Sequence, residues 1–122
     1  MAATPESKVK KKVVALLKAA GAYYFYPVTG GFGNSGVFDI VVCHKGWFIG
    51  IECKADMKKS GPTKLQSRNA SIAKTSGCTV LLVDQTNVGL VAEVLNTIED
   101  GGNDTSERLD RLNFWPFDGV TS

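Results

Sequence analysis

Apolar residues recur at Val9, Val13, Leu16, Leu17 and Ala20, the spacing of one face of a helix. Thr4 offers an N-cap, Pro5 a first helical position and Glu6 a first-turn acid, while Gly21 provides the stop. Glu6 precedes Val9 and Val13 by three and seven positions, which predicts an inward placement despite its charge. The aromatic and β-branched run from Ala22 to Val28 predicts a strand, and Pro27 favours a sheet edge. Thr29 to Gly36 is glycine-rich and predicts a flexible loop, either a lip beside a cleft or a plain connector. It lacks the Gly-Lys-Ser/Thr of a Walker A loop.

Phe38 to Cys43 and Trp47 to Ala55 predict two strands joined around Lys45-Gly46. Side chains alternate, so Trp47, Ile49, Ile51 and Cys53 share one face, assigned to the core. Phe48, Gly50, Glu52 and Lys54 share the other, although Trp47 and Phe48 both read as packing residues. Asp56 to Gly61 is a polar loop, and a helix follows that Pro62 can start and Gly77 can stop. Leu65, Asn69, Ile72 and Ala73 mark one side of it, with Gln66 near that side. Cys78 to Val83 predicts an interior strand, and Val88 to Ile98 a second amphipathic helix through Val91, Val94, Leu95 and Ile98. One domain is expected over residues 1–100, with 101–122 a loosely attached polar tail whose aromatics Phe114, Trp115 and Phe117 dock.

The chain has 122 residues, of which 43% are hydrophobic, enough for one core and too few for two ordinary domains. No apolar run is long enough to span a membrane and no secretory leader is visible, so a cytoplasmic protein is expected. Cys43, Cys53 and Cys78 lie in apolar runs without zinc-like spacing and read as reduced buried thiols. The net charge of +2 hides an asymmetry: residues 1–74 carry +8 and residues 75–122 carry −6. The basic part suggests an anionic partner such as nucleic acid. For Lys8, Lys10, Lys11 and Lys12 alone, a solvated helix face is the preferred reading.

Asp39 interrupts an apolar strand, and a hairpin loop of two or four residues sets it opposite Glu52. Opposed like charges are destabilising unless something positive lies between them, and a hard divalent cation meets that need. Lys54, two positions beyond Glu52 on the same face, can orient or help deprotonate a water and stabilise charge developing on a phosphate. The competing reading is a surface ion-pair cluster on the solvent side of a sheet.

Gly36-Val37-Phe38-Asp39 followed by Ile51-Glu52-Cys53-Lys54 resembles the Asp…Glu-x-Lys motif of the PD-(D/E)xK nuclease superfamily. The wider pattern is similar to its virus-type replication-repair nuclease branch, VRR-NUC. A Glu-bearing first helix (Glu6), Leu17 to Gly21, the glycine-rich loop, the two acidic strands, Gln66 and Gly77 before an apolar strand occur in that order over about residues 5–85. The resemblance implies a restriction-endonuclease-like α/β fold: an αβββαβ core, a mixed sheet, a trailing helix and a cleft at the end of the hairpin. It implies hydrolysis of DNA phosphodiesters with Mg²⁺ or Mn²⁺, leaving 5′-phosphate and 3′-hydroxyl ends. Asp39, Glu52 and the Cys53 backbone carbonyl would be metal ligands, Lys54 would act on the attacking water, Glu6 would join as a water-mediated or second-metal contact, and Gln66 would position Lys54 or a phosphate. Phe38 departs from the pattern, standing where the family usually has proline.

Lys58, Lys59, Lys64 and Arg68 follow the acidic strand closely and read as phosphate contacts. Cutting two strands or a junction would need two copies, so a homodimer is expected. A single-domain member of this branch fits a phage or mobile element, and so a host-cell cytoplasm. A non-catalytic nucleic-acid-binding module of the same fold is the alternative, and an adaptor role for the acidic C-terminal part a third. A Ser/His/Asp hydrolase is disfavoured: His44, the one histidine, has no nucleophile elbow near it and reads as an exposed turn residue.

Overall fold

The first helix begins where a hydroxyl can satisfy it: the Ser7 amide donates to the Thr4 side chain at 3.1 Å. Helix α1 then runs Pro5–Ala20 and ends on Gly21, whose φ of 69° is the left-handed cap favouring glycine. These elements come from a computed structural model that describes residues 4–28 and 36–117. The expected loop Thr29 to Gly36 lies outside the described residues except for Gly36. The chain is α/β, with strands β1 (Tyr23–Phe25), β2 (Ile40–His44) and β3 (Trp47–Cys53), helix α2 (Lys64–Thr75), strand β4 (Thr79–Val83), and helices α3 (Gly89–Asp100) and α4 (Thr105–Leu112).

The strands form one mixed sheet in the order β1-β2-β3-β4, antiparallel except for the β3–β4 pair. β1 is shorter than the predicted run and occupies an edge. The β2–β3 turn is the two residues Lys45-Gly46, both at positive φ (50° and 88°), as a tight hairpin turn requires. That turn fixes the register from His44↔Trp47 to Ile40↔Ile51. One step further along the ladder sets Asp39 across from Glu52.

Both faces of the sheet are covered, so the chain forms three layers. α1, α3 and α4 bury Val13, Leu17, Val94 and Leu109 against Ile40, Val42, Ile49, Ile51, Cys53, Leu81 and Val83. On the opposite face Val80 and Leu82 meet Ala70 of α2 and Trp115. The face of Gly50 and Glu52 is therefore buried too, rather than being a polar surface.

α2 turns Ser67 and Ala70 inward, with Ala73 partly buried beside them, while Leu65 and Ile72 are exposed; Trp115 packs with Ala70, its indole N–H donating to Ser67 Oγ at 3.0 Å. Three expectations are corrected. His44 is buried, because alternation from Ile40 places it on the inner face, and its Nε2 lies 2.9 Å from Glu99 Oε2 of α3. Phe48 is exposed and lines an open cavity with Ala73 and Cys78 rather than entering the core. Residues 101–117 are no loose tail: α4 packs on the core, and Phe114 joins the free edge of β4 by accepting from the Leu82 amide (2.8 Å) and donating to the Val80 carbonyl (3.0 Å). No described helix is long and apolar enough to cross a membrane.

Candidate active site

Glu52 enters the site because β3 alternates. With Ile51 and Cys53 in the α1–α3 core, its side chain faces α2 and is left only 4% exposed. One oxygen, Oε2, accepts from the Gln66 side-chain amide at 2.9 Å. The other, Oε1, is buried without a hydrogen-bond partner. A buried carboxylate oxygen left unsatisfied is costly, so this atom marks a position suited to something positive. Burial, and then the Asp39 charge, push the Glu52 carboxyl up to about 8, against the opposing pull of Lys54.

Asp39 is half-buried just before β2, and its Oδ2 accepts from the Cys53 amide at 2.9 Å. That bond ties the carboxylate to the strand carrying Glu52, and the Asp39 backbone and side chain also act on the Glu52 carboxyl by hydrogen bonding. Phe38 keeps the approach firm: its ring lies on Gly50, where an added Cβ would come within 2.5 Å of it, and meets Trp115 edge-on at 6.0 Å. Phe38 is thus a packing residue.

Lys54 follows β3, its amide donating to the Val83 carbonyl at 2.8 Å. Its Nζ lies 3.9 Å from Glu52 Oε2 and donates to Gln66 Oε1 at 3.2 Å, with the side chain 13% exposed. Gln66 holds both partners because it is itself held. As the third residue of α2 it accepts from the Thr63 amide (3.0 Å), while its own amide donates to the Thr63 hydroxyl (3.1 Å), a complete capping box. The Thr63-x-x-Gln66 spacing was present in the sequence and was the signal for this anchor.

The remaining candidates are dispersed around this core. Glu6 is exposed in the first turn of α1 rather than inward, because a lone carboxylate keeps its hydration there and gains from the helix N-terminus. Glu6 nevertheless acts on the Cys53 thiol, as does Lys10 one turn later. That thiol is pushed up to about 12, by burial first and then by Asp39, so it stays protonated and only the Cys53 backbone is suited to a ligand role. Lys58, Lys59, Lys64 and Arg68 are exposed and make no direct contact with the carboxylates. Among the described residues no three His, Cys, Asp or Glu side chains gather as a metal-binding group.

Sequence reasoning missed Asp84. Burial opposes its ionisation, yet hydrogen bonds from Thr86 and the Met57 amide outweigh that and hold it below the usual carboxylate range. The Met57 bond, at 2.9 Å to Asp84 Oδ2, pins the loop after Lys54 to the end of β4. An Asp two residues before a Thr at a strand end is the turn signal that could have revealed it. A cavity of about 570 Å³ lined by Phe38, Phe48, Gly50 and Cys78 opens on the same sheet face but includes neither carboxylate. No family model, curated protein or solved structure matches the chain.

Proposed function

We propose that the protein is a divalent-metal-dependent endonuclease that hydrolyses DNA phosphodiester bonds. The observation that carries this reading is the unpartnered, buried Oε1 of Glu52 beside the second carboxylate of Asp39. Two carboxylates and a backbone carbonyl suit Mg²⁺ or Mn²⁺, hard ions that keep several waters of their own, so a third acidic side chain is not needed. When bound, the ion supplies Lewis-acid polarisation of the phosphate and a lowered water pKa. Asp39, Glu52 and the Cys53 carbonyl would hold it, and Glu6, exposed on α1, would act on it only through water.

Lys54 holds and orients the attacking water and neutralises charge developing on the phosphate. Gln66 is a positioning residue: its carbonyl oxygen fixes the Lys54 amine and its amide orients Glu52. Lys58, Lys59, Lys64 and Arg68, all exposed and close in sequence to this end of β3, contact backbone phosphates. The fold assigned is the restriction-endonuclease-like αβββαβ core suggested by the VRR-NUC resemblance, and two copies together address two strands.

Supercoiled plasmid and a four-way junction, incubated with Mg²⁺ or Mn²⁺, provide the test. Wild type nicks or cuts them, chelation stops the reaction, and Lys54→Ala and Glu52→Gln reduce the rate by about 100-fold or more, in line with loss of a charge-stabilising group. Equal cleavage by wild type and Lys54→Ala removes the enzyme reading. Tight binding without any cleavage would favour a binding module instead.

A further inference from the structure

On the outer side of α1 lies a groove of about 490 Å³, floored by Val14 and Ala15, rimmed by Lys10, Lys11 and Lys18, and closed by Tyr26 beyond the end of β1. None of its lining residues is acidic. The three ammonium groups are thus gathered along one concave strip, with Glu6, one turn before Lys10, the nearest acid of α1. A long anion with regularly spaced charges suits it better than a single small one, because Lys11 and Lys18 are about 10 Å apart along the helix axis. A nucleic-acid strand carries one charge per roughly 3.4 Å of duplex axis, so the groove spans about three phosphates. Tyr26, 51% exposed, offers a ring on which a base can stack.

We infer that this α1–Tyr26 groove is a second nucleic-acid contact surface, in which Lys10, Lys11 and Lys18 bind backbone phosphates of one strand. The inference rests on the nuclease reading for its ligand class but concerns binding, not cleavage. It also revises the view of the α1 lysines as a solvated face: Lys10, Lys11 and Lys18 line the groove, while Lys8 and Lys12 do not.

The test compares two variants that remove the same charge. Binding of a fluorescein-labelled DNA, both single-stranded and duplex, is followed by anisotropy without divalent metal over a series of KCl concentrations. Lys11→Ala/Lys18→Ala is expected to weaken binding about tenfold or more and to lower the slope of log K against log salt by about 1.5–2, the share of two phosphate contacts. Lys8→Ala/Lys12→Ala is expected to change the slope by less than about 0.5, and Tyr26→Ala to weaken single-strand binding without changing the slope. Circular dichroism establishes that each variant is folded. Equal effects of the two lysine pairs overturn the inference, as does an unchanged slope. So does a groove pair that loses binding only to phosphatidylserine vesicles. Because no metal is present, these results stand apart from plasmid cleavage: loss of the nuclease reading leaves the groove measurable, and loss of the groove leaves cleavage measurable.

Discussion

Glu52 concentrates most of the chemistry of this molecule in one carboxyl. In the unfolded chain it titrates near 4.5, and in the folded, metal-free protein near 8. Between those values the native state keeps a proton that the unfolded state has released, so stability declines as pH rises through that window, by up to about 1.4 kcal/mol per unit. The contribution is whole below the unfolded value and gone above the folded one. Thermal denaturation without divalent metal is therefore expected to show a falling Tm from about pH 5 to about pH 8, with Glu52→Gln flattening the profile. Mg²⁺ competes with that proton, so its stabilisation grows with pH and its binding releases a proton into a weakly buffered solution. A flat wild-type profile would remove the buried carboxyl as the source. The opposition of Asp39 and Glu52 was legible from Lys45-Gly46, because a two-residue turn leaves one register open. Burial of Glu52 was not legible, since alternation gives the face and not what covers it.

Helix α2 does two jobs with one side chain. Gln66 completes the capping box that starts the helix and also bridges Lys54 to Glu52. Gln66→Ala is expected to lower stability by about 1 kcal/mol, the usual cost of a lost cap contact. It also frees the Lys54 amine, and plasmid cleavage is expected to fall by about tenfold or more. Gln66→Glu retains the box but replaces the amide donor to Glu52 by a like charge, so stability falls and its pH–rate profile moves to higher pH. If both variants cleave as wild type does, the bridge has no part in the reaction. The start of α2 was expected at Pro62, whereas the helix begins at Lys64 behind the Thr63-x-x-Gln66 box. Its orientation was not legible because Leu65 and Ile72 outweigh Ser67 and Ala70 on hydrophobicity, whereas the helix packs by its smallest side chains.

Across the whole molecule, the last described residues lock the layer that carries the site. Trp115 sits under α2, bonds to Ser67 across 48 positions of sequence and contacts Phe38 next to Asp39. Trp115→Ala is expected to cost about 3–5 kcal/mol, as for a buried aromatic truncated to a methyl group. Urea unfolding measures it, and hydrogen exchange is expected to rise selectively in α2. An unchanged midpoint would mean that the indole adds nothing. The pairing of Phe114 with β4 and the docking of Trp115 were beyond sequence pattern, because both depend on long-range closure and carry no local periodicity.

That late closure orders events during translation. A nascent chain that has cleared the ribosome as far as Gln66 already contains both acids, the lysine and the glutamine, yet the indole that steadies their platform has not been made. The synthesis intermediate thus holds the side chains of the candidate site before the indole that bonds to Ser67 and meets Phe38 has been added.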